Sequence, residues 1–253
     1  MTTYWRSFYS ELIKLKRQPL VWIHLLVPLA GIAIFLGYYG YTPFSPASKI
    51  SAYMQVLAIA FPTMIGIVCS VAADQEASAG NYQQLLVSPN RLASLAAKLT
   101  LLLLLGYCSS LLAAAGFGAG FMYILKQQAI FDPVFYVEAA SLLFGSCLFL
   151  YFLHLFISLR FGKGASIGLG IVESLVGALL LTGLGDHIWI YFPSAWPIRM
   201  ITIWMQYGIA SRDMLPAELL LWPGILWCTG ATVISMIILG HWYGRWEGAQ
   251  SVE

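Results

Sequence analysis

Charge is what this sequence has least of. Only 9% of its 253 residues are Asp, Glu, Lys or Arg, against about 25% in an average soluble domain. A water-soluble chain of this length needs more charge to cover its surface, so an ordinary soluble enzyme is excluded. The 60% hydrophobic content excludes a disordered chain. A formal net charge of +2 leaves no strongly basic face for nucleic acid. Cysteine is also sparse. Cys69, Cys108, Cys147 and Cys228 all lie in apolar stretches without metal-site spacing, so they are expected to be small buried residues rather than a disulfide framework. No low-complexity tract and no repeat stands out. A phosphate-binding loop is missing too. Its motif needs Gly-x4-Gly-Lys-Ser/Thr, and the nearest match, Gly162-Lys163-Gly164, has Ile157 where the first glycine belongs.

What is present is long apolar runs. At about 20 residues per membrane crossing, the length leaves room for six helices and little else. The runs predict spans at about 20–39, 53–73, 92–125, 137–159, 165–184 and 219–242. The chain is thus expected to be an all-α polytopic membrane protein, one transmembrane domain over 1–253. The first run follows a basic N-terminus but is full length with no small-residue cleavage site after it, so it reads as a retained span. Ser88-Pro89 and Asp132-Pro133 offer N-caps followed by proline. Pro28, Pro62 and Pro223 predict kinks. Gly116 and Gly120 allow a close helix contact.

Ahead of the spans, residues 1–19 hold an amphipathic pattern. Trp5, Phe8, Leu12 and Leu15 recur at helical spacing, with Arg6, Ser10, Lys14 and Arg17 on another side. That is the signature of a helix lying in the membrane interface. Orientation follows from the basic residues. Arg6, Lys14, Lys16, Arg17, Arg91, Lys98, Arg160, Lys163 and Arg245 fall on one side, against Lys49, Lys126, Arg199 and Arg212 on the other. Both termini are therefore expected in the cytoplasm. The outside carries a long loop, 185–218, whose Trp189, Tyr191, Phe192, Trp196 and Trp204 suggest short helices and an aromatic belt in the outer interface.

The segment 74–91, between the second and third spans, is the most informative. Read as a helix, it places Glu76, Gly80 and Gln83 on one face. Composition alone fits both a short helix that docks on a partner and an ordinary polar loop. The order Asp74-x-Glu76-x3-Gly80, then Leu85-Leu86, then Pro89-x-Arg91, then Lys98 at the start of a long span resembles the corresponding loop of ABC-2-type transporter permeases. In those proteins it is the coupling helix that meets the ATPase. The N-terminal interfacial helix and six spans with both termini inside also fit.

The resemblance implies a permease subunit of an exporter in the bacterial plasma membrane. Asp74, Glu76, Gly80 and Arg91 would be its ATPase contacts. ATP and Mg would be bound by a partner ATPase, expected in two copies, with no cofactor and no metal on this chain. Within the family the wording is most similar to the lantibiotic-immunity permeases. That implies a second, homologous permease chain, membrane lipid and an antimicrobial-peptide substrate as partners. Export of a drug, lipid or polysaccharide is the alternative.

Two features stand apart from the resemblance. Glu173 lies near the middle of the fifth span, where a charge is costly unless paired, protonated or wet. It is a candidate for the substrate path or for an inter-helix polar contact, with His154 as a possible partner. Gly164-Ala165-Ser166-Ile167-Gly168 matches the Gly-x-Ser-x-Gly pattern of serine hydrolases, which raises an intramembrane protease as a remote alternative. No strand precedes it, and small residues at a helix start explain the pattern without chemistry.

Overall fold

The computed structural model describes residues 3–16, 18–127, 130–209 and 221–248. Arg17, Arg212, the 210–218 part of the outer loop and the first two residues of the expected sixth span lie outside them. The described residues form ten α-helices and no strand. They are α1 (Thr3–Leu15), α2 (Leu20–Tyr39), α3 (Pro46–Ser78), α4 (Gln83–Leu86), α5 (Arg91–Tyr123), α6 (Pro133–Ser146), α7 (Leu148–Phe161), α8 (Lys163–Leu180), α9 (Trp196–Ile209) and α10 (Leu221–Arg245). Five of these are long and apolar enough to cross a membrane, and the bent pair α6–α7, counted as one span, would be the sixth. The chain is an all-α multi-pass membrane protein.

The fourth span is not the single helix that its apolar run predicts. It bends by 42° at Cys147. No proline causes this. The backbone tightens there, with the Cys147 amide bonded to the Phe144 carbonyl. The Cys228 thiol of α10 then donates to the Gly145 and Ser146 carbonyls, at 3.8 and 3.7 Å. Cys69, Cys147 and Cys228 are buried as expected, but Cys108 is exposed on the outer surface of α5. Helix starts follow capping chemistry. Asp132 accepts from the Phe135 amide at 2.8 Å, with Pro133 behind it. Ser45 caps α3, so that helix begins well before the apolar run. The cap of α5 is Asn90 rather than Ser88.

Packing is tightest between α3 and α8. A methyl group on Gly66 would stand 2.7 Å from the Ser166 carbonyl oxygen, and one on Gly170 would stand 2.7 Å from that of Pro62. Each helix thus lends a glycine so that the other's backbone can approach. The expected contact at Gly116 and Gly120 is also there, filled by Ile32 and Leu36 of α2. In contrast, α2, α8 and α10 leave most of their surface outside the bundle, with Trp22, Leu175 and Ile237 among the exposed residues.

The long outer loop corrects its sequence reading. Three short turns of 3-10 helix lead into α9, and Trp189, Trp196, Ile198 and Ile201 are buried in the core. This segment folds back into the bundle instead of resting on it; Tyr191 and Phe192 alone of the five aromatics lie exposed. Two of the four outer basic residues have structural work. Buried Lys49 donates to the Tyr39 carbonyl at 2.9 Å, at the end of α2. Arg199 donates to the Leu180 and Thr182 carbonyls at the end of α8, both at 2.6 Å, and pairs with Asp186 at 2.9 Å. Cations at helix C-termini complement the unpaired carbonyls there.

Candidate coupling site and an intramembrane polar relay

The amphipathic helix α1 carries one acidic residue, Glu11, and it is the only buried residue of that helix. Its burial is explained by a closed quartet of alternating charge. Lys14 donates to Glu11 at 2.7 Å and to Glu76 at 2.6 Å. Lys98 donates to the other oxygen of Glu11 at 2.8 Å and to Glu76 at 2.8 Å. Two carboxylates and two ammonium groups thus pair in a largely buried site with Lys14 at its partly exposed edge, and pairing is the condition under which buried charges are tolerated. Burial pulls the Lys14 pKa down, but its hydrogen bonds and charge interactions with Glu11 and then Glu76 outweigh that and hold it above the ordinary lysine value. The quartet ties α1, the cytoplasmic end of α3 and the first turns of α5 into one body.

Between α3 and α5 the chain turns sharply. The helical reading of 74–91 fails at Ser78, where α3 ends. Gly80, Asn81 and Tyr82 follow with φ of 148°, 48° and 65°, so Glu76, Gly80 and Gln83 do not share a helix face. Only four residues, Gln83–Leu86, re-form a helix. Left-handed backbone is costly for a tyrosine. Here it is held by packing: Tyr82 is buried with its ring 5.1 Å from that of Trp246. Burial first, and then the charge of Asp74, raise the Tyr82 pKa. Arg91 closes the turn, donating to the Leu86 carbonyl at 3.1 Å and to the Trp246 carbonyl at 3.0 Å.

The four sequence-selected residues are therefore sorted by position. Asp74 and Gly80 are exposed. Glu76 is only 2% exposed and sits in the quartet. The Arg91 guanidinium is engaged with backbone carbonyls. Sequence reading missed Lys14 and Lys98 as partners of Glu76, and Glu11 as their second acceptor, because nothing local marks pairings across 62 and 87 residues. It also missed Val87, an apolar side chain 80% exposed beside α4.

A second polar group crosses the bundle. Glu173 and His154 meet, Oε2 to Nε2, at 2.7 Å. The other ring nitrogen of His154 lies 3.0 Å from the Ser166 hydroxyl, which lies 3.1 Å from the Gly66 carbonyl. The Ser166 hydroxyl has one proton and three neighbours that can accept it: the Gly66 carbonyl, Nδ1 of His154 and, at 3.5 Å, the His154 carbonyl. The relay links α3, α7 and α8.

Although these are the residue types of a hydrolase triad, the arrangement is closed to substrate. Ser166 is fully buried on a helix, and the backbone of α3 packs against it at Gly66. Nucleophilic attack needs an exposed oxygen with a base to take its proton. The Gly-x-Ser-x-Gly match is thus a packing feature. Ser166→Ala should cost about 1 kcal/mol of stability, the value of a lost hydrogen bond, with transport retained. Thermal unfolding and a transport assay of the same variant measure both.

An apolar cavity of about 160 Å³ lies between α2, α3 and α5, with Val27, Pro28, Phe35, Tyr53 and Phe61 in its wall. No group of His, Cys, Asp or Glu suited to a metal ion occurs among the described residues.

The amphipathic helix α1, tied by the quartet to the turn between α3 and α5, and the buried polar relay both belong to a bundle of membrane-spanning helices. The chain belongs to the ABC-2 family transporter proteins, whose family description matches residues 7–180, from α1 to the end of α8. A search of the curated proteins finds no match. ABC-2 domains are the membrane component of a transporter and are not themselves catalytic.

Proposed function

We propose that this chain is the permease of an ATP-driven exporter that clears an amphipathic antimicrobial peptide from the membrane. Family membership supports the permease role. The observation that carries the coupling is the quartet. It joins the turn that faces the cytoplasm to the interfacial helix and to two spans, so a push on the turn is delivered to all of them together. ATP and Mg belong to the ATPase subunits, which engage the exposed rim of the turn: Asp74, Gly80 and Val87. Glu76 and Arg91 then act indirectly, by holding that rim in shape. Two ATPase copies and a second, homologous permease chain complete the complex.

The apolar cavity and the wide exposed faces of α2 and α8 favour a substrate that arrives from the bilayer. A lantibiotic-like peptide fits that route, as would a lipid or an apolar drug; a polysaccharide fits it poorly.

The rim is tested by Val87→Asp. This change touches no buried group, so the protein should fold normally and lose ATPase co-purification by at least about tenfold, the effect of some 1.4 kcal/mol at an interface. Undiminished co-purification would remove Val87 and its neighbours from the interface. With the intact complex in liposomes, an amphipathic antimicrobial peptide should stimulate ATP hydrolysis where a polysaccharide does not.

A further inference from the structure

At the end of α10 on the side of the basic termini lies an open groove of about 920 Å³. Its wall is ordered by depth. Ile237 and Ile238 come first, both exposed and apolar. His241 and Trp242 follow about one turn on, and Arg245 about one turn beyond. Arg160, from the last turn of α7, closes the other side. From Ile238 to Arg245 the helix rises about 10 Å, enough to pass from the hydrocarbon through a polar headgroup layer of roughly 5–8 Å.

Two further observations point to a ligand. Among the described residues neither Arg160 nor Arg245 takes part in an ion pair; the Arg160 guanidinium merely stands 5.8 Å from the Phe161 ring. Trp246, also in the wall, is 6% exposed, and its buried indole N–H has no acceptor among the described residues. The groove thus offers two guanidinium groups outside any ion pair and a histidine, with Glu247 as the one acid in its wall. An apolar floor below clustered cations is complementary to a lipid phosphate, whose acyl chains continue along the helix.

We propose that this groove binds one anionic phospholipid of the cytoplasmic leaflet, its phosphate held by Arg160 and Arg245 and its chains lying on Ile237 and Ile238. The groove shares no residue with the quartet or with the wall of the apolar cavity, and it adjoins the turn through Trp246.

Native mass spectrometry of the full chain, purified in mild detergent with phosphatidylglycerol or phosphatidylcholine added, tests it. The protein should retain one phosphatidylglycerol in preference to phosphatidylcholine. Each basic residue near an anionic surface is worth roughly fivefold, so the double variant R160Q/R245Q should lose about 30-fold of that preference. R160K/R245K should keep most of it, which separates loss of charge from misfolding. R6Q/K16Q, in the N-terminal segment, should keep it fully. Equal retention of both lipids by the wild type would overturn the proposal. So would displacement of the lipid by millimolar inorganic phosphate, which would mark a free-anion site. Loss of the ATPase subunit from R160Q/R245Q with lipid preference intact would instead mark a protein-docking surface, and also overturn it.

Discussion

Replacing Glu76 with alanine should lower stability by roughly 3 kcal/mol, the low end of the range for breaking a buried ion pair. The reasoning is a charge count. Glu76 accepts from both Lys14 and Lys98. Without it two ammonium groups share the single carboxylate of Glu11, and Lys98, buried at the start of α5, has no route to water. A second change then becomes informative. Adding Lys98→Met removes the stranded cation and should recover more than half of the loss, because an apolar group of similar volume is often neutral in such a place. If the two losses simply add, the quartet is not an energetic unit. Thermal unfolding of the single and double variants in the same detergent decides it. ATPase co-purification, measured alongside, tells loss of the shaped turn from loss of the whole fold.

The second large effect concerns the α3–α8 contact. Gly66→Ala should cost about 2–3 kcal/mol, at the upper end for overpacking. Its new methyl group would meet a backbone oxygen, and backbone on a packed helix cannot step aside. Separating the helices would also stretch the Ser166–Gly66 bond and loosen the relay. Gly116→Ala is the matched control. There the methyl group would meet only the tip of Ile32, at 2.8 Å. That side chain can change rotamer, and alanine is the better helix former by about 1 kcal/mol, so the net effect should be near zero. Equal losses at the two sites would mean that α3 and α8 are not held by backbone proximity. Unfolding curves for the two variants make the comparison.

The spans were legible in the sequence for a simple reason. A run of about 20 apolar residues has few other places to go, and the basic residues then sort the ends. Asp132-Pro133 was legible because a cap is a local event. The features that escaped are all non-local. Glu11 looks like a surface residue of α1 until Lys98 is brought beside it. The bend at Cys147 has no proline to announce it and depends on a thiol from α10. Trp189 and Trp196 carry the composition of an interfacial belt, but they pack into a cluster with residues of α7, α8 and α10. The site was legible in part. The sequence singled out 74–91, and it suggested Glu173 beside His154, which the structure brings together. It spread the turn's residues over a helix that left-handed Gly80, Asn81 and Tyr82 do not allow.

The quartet also sets an order of events during synthesis. Chains emerge N-terminus first. Glu11 and Lys14 leave the ribosome long before their partners, which lie 62 residues downstream of Lys14 and 87 downstream of Glu11. Until Lys98 arrives at the head of α5, α1 has only the membrane surface to rest on, with its acid still in water. Closing the quartet dehydrates that acid, and it does so once the first three spans are threaded. The N-terminal helix is therefore tied to the bundle only after the head of α5 has been made.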